Sequence, residues 1–218
     1  MLINGFLFLL KGGLVMWPLF LCAIVSVTLM VERSLVLRAV LRDSRGLRRQ
    51  VHVSLTEGRV RSALSLVEMR GGPVSHVLLT ALKNRAMDRQ DLEHLITEVA
   101  MEETPGLGRG LNLLDTIITV APLLGLLGTV TGMIAAFQVV AISTGLSAPA
   151  EITGGVAEAL IATATGLTIA IVTLVGYNSL TEKVRRIVAE MEMAATQIIN
   201  DLSLRQPEGG HVYEAAGN

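Results

Sequence analysis

One carboxylate and six threonine hydroxyls stand in sequence that is otherwise apolar. Glu158 is the sole charge between Ile152 and Thr181. Thr129, Thr131, Thr163, Thr165, Thr168 and Thr173 are the nearby hydroxyls. A carboxylate near hydrocarbon costs kilocalories unless it has a partner or a wet cavity. Hydroxyls both donate and accept hydrogen bonds, so they can hydrate or relay a proton beside an acid. One acid among threonines in a helix bundle reads first as an ion path. The rival reading of Glu158 is a helix-start carboxylate favoured by the helix dipole. It lies roughly 9 Å along the helix from Ile152, below the headgroups yet within reach of water. A lone membrane threonine usually bonds to its own helix carbonyl and says little. Six of them beside a carboxylate say more.

The elements that must carry these groups are membrane spans. Half the composition is apolar (51%) and only 3% is aromatic, which points away from an ordinary soluble core. Three stretches reach the roughly 20 apolar residues that cross a bilayer. Gly12 to Val31 is free of charge between Lys11 and Glu32, Thr116 to Ile142 is free of charge after Asp115, and Ile152 to Thr181 carries only Glu158. The first is too long for a secretory signal and no clear A-x-A site follows it. The expected class is an all-α membrane protein with three transmembrane helices at 12–34, 113–142 and 152–181. Spans two and three are expected to extend into a helical cytoplasmic domain.

Charge distribution orients the spans. No lysine or arginine occurs between Arg109 and Lys183, and Lys11 is the one basic residue outside the segments 33–109 and 183–205. The positive-inside rule places those two segments in the cytoplasm. The segment 1–11 and the loop 143–151 are then periplasmic, and the C-terminus is cytoplasmic. Met1 to Leu10 is apolar but too short to span, and could lie flat at the outer interface. Arg38, Arg42, Arg45, Arg48 and Arg49 recur at helical spacing where anionic lipid would attract them. A solvated face plus topology signal accounts for them.

The cytoplasmic region 35–112 reads as mostly helical. Thr56 can cap a helix through Met69. Gly71, Gly72 and Pro73 break it. A second helix runs to about Ala86, and Asp88 caps a third, with Asp91 in capping-box position. Leu92, Leu95, Ile96 and Val99 give that helix an apolar stripe. Thr104-Pro105-Gly106 predicts a kink. After span three no Gly or Pro interrupts Lys183 to Gln206. Val184, Ile187, Val188, Met191, Ala194, Ala195, Ile198 and Leu202 continue a helical stripe there. A helix from Ile152 to about Leu204 would be near 80 Å long, so its part at 182–204 must project into the cytoplasm. Residues 205–218 read as a disordered tail.

Small residues recur on the hairpin spans. Gly125, Gly128 and Gly132 form one stripe, and Ala162, Gly166 and Ala170 form another. Small stripes let helix backbones approach closely in lipid. These six are helix-packing residues first. Glu158, Ala162 and Thr165 share one face of span three, while Thr163, Gly166, Ala170 and Thr173 share another. Polar atoms therefore point two ways.

Other chemistry has little support. Cys22 is the only cysteine and is read as a small buried side chain. His52, His76, His94 and His211 lack metal spacing. There is no catalytic or metal constellation and no sign of a nucleic-acid partner.

The stretches APLLGLLGTVTGM (Ala121 to Met133) and GGVAEALIATATGL (Gly154 to Leu167) resemble the MotA/TolQ/ExbB proton channel family. Glu32-Arg33 at the end of span one matches the same habit. The order of span, cytoplasmic segment, hairpin and long last helix resembles ExbB and TolQ, not the four-span MotA. Thr131 stands where several relatives have Trp, and a long outer N-terminal extension found in some ExbB proteins is missing, so the choice between ExbB and TolQ stays open.

That resemblance implies a homopentamer in the bacterial inner membrane around a central pore. It implies an ExbD- or TolR-like single-span partner in the pore, bearing a membrane aspartate, and a TonB- or TolA-like protein that takes up the work. The proton motive force replaces any cofactor. By motif position Thr129 and Thr163 correspond to pore threonines near the partner aspartate, and Glu158 to the acid of span three. Glu158, Thr129, Thr163 and Thr165 are the expected proton path. Membrane lipid surrounds the whole. A non-conducting scaffold and a small-solute transporter are the rival classes. Transporters usually show internal repeats and broken helices, and none is evident here.

Overall fold

The structure, a computed structural model, describes residues 13–142 and 148–203, with side chains over 13–138 and 153–203. Among the described residues six α-helices follow in order: α1 Met16–Thr56, α2 Val60–Glu68, α3 Pro73–Lys83, α4 Arg89–Leu107, α5 Leu111–Ile142 and α6 Ala148–Ser203. The expected segments 1–11 and 205–218, and His211, lie outside the described residues. α6 begins at Ala148, inside the segment expected as a loop at 143–151, of which 143–147 lie outside the described residues.

Among the described residues, three helices are long and apolar enough to cross a membrane: Met16–Thr56, Leu111–Gln138 and Thr153–Ser203. The chain divides into two units, Met1–Leu35 with Gly110–Thr181, and Val36–Arg109 with Glu182–Asn218. The helices that continue from the first unit's residues into the second's are α1 and α6. Span two was expected to extend as well, but α5 starts at Leu111, directly after Gly110. Gly110 holds a left-handed backbone with φ +83°. Glycine adopts that conformation without penalty and so breaks the path from α4.

In the apolar unit, α5 and α6 meet through their small residues. A Cβ on Gly125 would lie 3.0 Å from the Thr163 Cα, and one on Gly166 would lie 3.1 Å from the Gly125 Cα. A Cβ on Gly132 would lie 2.9 Å from the Ala159 Cβ, and one on Gly155 would lie 2.8 Å from the Ala136 Cβ. Gly128 faces Ala162 and Val15 in the same way. Ala162 and Ala170 are buried in a cluster with Met16, Leu19, Ile117 and Ala121. Large apolar side chains point the other way: Leu126 is 58% exposed, Phe137 62% and Val175 66%. An apolar surface of that extent needs lipid or further protein against it.

The second unit is held by both apolar and ionic contacts. Leu47, Val51 and Leu55 of α1 are buried, as are Ile187, Met191, Ala194 and Ile198 of α6. Glu190 is buried and meets two guanidiniums: Arg45 Nε at 2.9 Å and Arg48 Nε at 3.3 Å. Arg48 Nη1 also donates to Gln197 Oε1 at 3.0 Å. His52 Nδ1 lies 2.8 Å from Asp201 Oδ2. Arg45 and Arg48 therefore do more than face solvent, as their spacing alone suggested. A carboxylate inside an apolar stripe needs paired donors, and these arginines supply them.

Local signals set the short helices. Asp88 caps α4, its side chain accepting from the Gln90 amide at 3.2 Å. Leu92 and Ile96 are buried on the expected stripe. Pro105 lies inside α4, which continues to Leu107. Thr56 does not open a helix as expected; it ends α1, and its hydroxyl donates to the Val53 carbonyl at 2.8 Å. Gly58, at φ +82°, terminates α1. Its amide bonds the Leu55 carbonyl at 2.9 Å, and the Arg59 amide bonds the Ser54 carbonyl at 2.8 Å. That pair of bonds closes a Schellman motif, which satisfies carbonyls the helix end would orphan.

Candidate functional site

The site is built on the α5–α6 seam and the opening of α1. Thr163 is half-buried, and its hydroxyl donates across the seam to the Gly125 carbonyl at 2.9 Å. Glycine at 125 makes this possible, since a side chain there would collide with the Thr163 backbone. The other hydroxyls bond within their own helices. Thr129 donates to the Leu126 carbonyl at 2.6 Å, and Thr131 to the Leu127 carbonyl at 2.9 Å. Thr165 donates to Ile161 at 2.8 Å, Thr168 to Ala164 at 2.7 Å and Thr173 to Ile169 at 2.7 Å.

This geometry has a chemical sense. Each hydroxyl has committed its proton to a carbonyl, so its oxygen has lone pairs left to accept. Such an oxygen suits a donor: water, or a carboxyl in its protonated form. Thr129 lies one helical turn beyond Gly125, on the flank of the seam that carries Thr163.

Glu158 is half-buried on α6, and its carboxylate packs against Gly13 at the head of α1. By helical position it flanks the seam on the side away from Thr163, with Thr165 two turns along the same flank. The structure thus places Thr163 in the seam, Thr129 beside it, and Glu158 with Thr165 on the other flank. It does not gather all four around one point. Thr173 is fully buried beneath them at 0% exposure.

Sequence reasoning missed Gly13, which nothing in its local pattern marks out. It also missed Glu190, although a charge between Ile187 and Met191 on an apolar stripe was a usable sign. Among the described residues, no three His, Cys, Asp or Glu side chains are grouped to hold a metal ion.

Residues 70–193, which include the whole seam, match the sequence profile of the MotA/TolQ/ExbB proton channel family. The chain belongs to that family. Among its relatives is biopolymer transport protein ExbB-like 1 of Synechocystis, 37% identical over 78% of this chain and 68% of that protein. Biopolymer transport protein exbB1 of Vibrio cholerae is 31% identical over 83% of this chain and 80% of its own length. Biopolymer transport protein ExbB of Helicobacter pylori is 46% identical over 35% of this chain and 52% of its own. As a MotA/TolQ/ExbB member with three apolar helices, the chain is a multi-pass membrane protein. Family members of this kind are channel and transport components.

Proposed function

We propose that this chain is the proton-channel subunit of an ExbB-like energy-transducing complex in the bacterial inner membrane. In this reading its N-terminus is periplasmic and its C-terminus cytoplasmic. Five copies enclose a pore, and a single-span partner of the ExbD or TolR type stands in it. The partner's membrane carboxyl meets the threonines as a donor when neutral and gives up its proton where water reaches it. Motion between the partner and the ring then powers a TonB- or TolA-like protein that serves outer-membrane transport.

The observation that carries this reading is the Thr163–Gly125 bond, which holds a hydroxyl oxygen at a tight seam with lone pairs to spare. A membrane potential adds about 2.3 kcal/mol per charge per 100 mV to a proton moving through such a site. The chain has no second acid in its apolar stretches beside Glu158, so it conducts poorly by itself.

The test is proton uptake by cells carrying Thr163→Val or Glu158→Gln, read with an internal pH indicator and with the partner co-expressed. Both variants should assemble and lose most of the partner-dependent flux. Full flux in both would leave the scaffold reading in its place.

A further inference from the structure

Gly13 has a specific relation to Glu158. Its backbone is left-handed, with φ +74°, and a carboxylate oxygen of Glu158 fills the place where its Cβ would stand. The Gly13 carbonyl accepts from the Met16 amide at 3.1 Å, which opens α1. The acid therefore lies against the amino-terminal opening of a helix, where unpaired amides and the dipole favour negative charge.

The contact is part of a packed joint. Val15 Cβ lies 3.7 Å from the place of a Cβ on Gly128. Met16 and Leu19, at 2% and 0% exposure, are buried in the cluster that holds Ala162. Farther along, the Met30 side chain fills the space beside Gly176. Gly13 with Glu158 and Met30 with Gly176 keep step, so α1 and α6 run side by side in the apolar unit.

We propose that Gly13 is the positioning residue for Glu158: the space of its absent side chain seats the carboxylate, and span one thereby sets where the acid of span three can point. The proposal rests on the reading of Glu158 as an acid of the proton path. Two demands meet at this position. The left-handed backbone favours Gly and tolerates Asn. The seat for the carboxylate excludes any Cβ, Asn included.

The test uses the full chain in native membranes and the carboxyl reagent dicyclohexylcarbodiimide. Labelling of Glu158 is quantified by mass spectrometry, with Asp115 as internal reference. Gly13→Ala and Gly13→Asn should both raise Glu158 labelling several-fold, because both unseat the carboxylate. Adding Glu158→Asp to Gly13→Ala shortens the acid by one methylene and should return labelling and proton flux toward wild type. Unchanged labelling in Gly13→Ala, or a rise with Ala but not with Asn, overturns the proposal; the second result would mean backbone strain. Gly13→Ala is also combined with Glu158→Ala, which should insert and assemble normally. If that double variant fails, a Cβ is intolerable whatever the acid does, and the proposal falls. A rise in labelling together with full flux in Glu158→Gln would keep Gly13 as the seat and remove the proton-path role of Glu158.

Discussion

The Thr163 hydroxyl donates to the Gly125 carbonyl at 2.9 Å, joining two helices of the hairpin through one polar bond in an apolar seam. The bond needs both partners: a hydroxyl on α6 and a bare glycine on α5 that lets the backbones close. Close packing and polarity here are one arrangement.

Removing that hydroxyl at constant shape should separate its roles. Thr163→Val should cost about 1 kcal/mol of stability, the net worth of a hydrogen bond, while abolishing most of the proton flux. Thr163→Ser should keep the bond and most of the flux. Thermal unfolding in detergent and the internal pH indicator measure the two effects. A flux loss in Ser with full flux in Val would mean that the methyl, not the hydroxyl, matters.

Filling the seam should break the hairpin. Gly166 stands 3.1 Å, measured from its would-be Cβ, from the Gly125 Cα, which is backbone and cannot swing aside. Gly166→Val should therefore cost about 3 kcal/mol, the upper end for overpacking, and lower the melting temperature in detergent. Gly154 lies within α6 and has nothing within 4 Å of its Cβ position, so Gly154→Ala should not lower the melting temperature and, through the better helix propensity of alanine, should raise it slightly.

The Glu190 pair gives an asymmetric prediction. Glu190 has 7% side-chain exposure, whereas Arg45 has 59% and Arg48 31%. Removing both arginines strands a buried carboxylate, so Arg45→Ala with Arg48→Ala should cost about 3 kcal/mol. Glu190→Gln leaves an amide that can still accept from the exposed Arg45 and the half-buried Arg48, and should cost less, about 1 kcal/mol. Chemical unfolding followed by circular dichroism ranks the two. The reverse ranking would show that Glu190 is solvated.

A pH dependence follows from Lys183. Burial, and then the Arg38 guanidinium, pull its ammonium below the ordinary lysine range. The folded chain therefore releases this proton more readily than the unfolded chain. Stability should rise as pH climbs from the folded value of Lys183 toward the ordinary lysine value, and be lost again as pH falls back through that window. Arg38→Gln removes the second cause and leaves the first, so the rise should become shallower. Melting temperatures across the alkaline range give the slope, and an unchanged slope would exclude Arg38.

Much of this architecture was legible in the chain itself, because its signals are local. Apolar length marks the three spans, helical periodicity without Gly or Pro from Lys183 to Gln206 marks the continuation of α6 beyond span three, and small residues at steps of three and four mark the seam. The Asp88 cap was equally local. The Thr56 expectation failed because a hydroxyl can cap or end a helix, and the deciding signal, Gly58 two residues on, was not weighed. What lay beyond the chain's local pattern was which neighbour each polar group meets. Thr163 meets Gly125, Glu158 meets Gly13, and Glu190 meets Arg45 and Arg48, partners far apart in sequence. Periodicity gives the angle of a side chain around its own helix. It does not say which other helix stands at that angle, because that depends on how the packed backbones share their small faces.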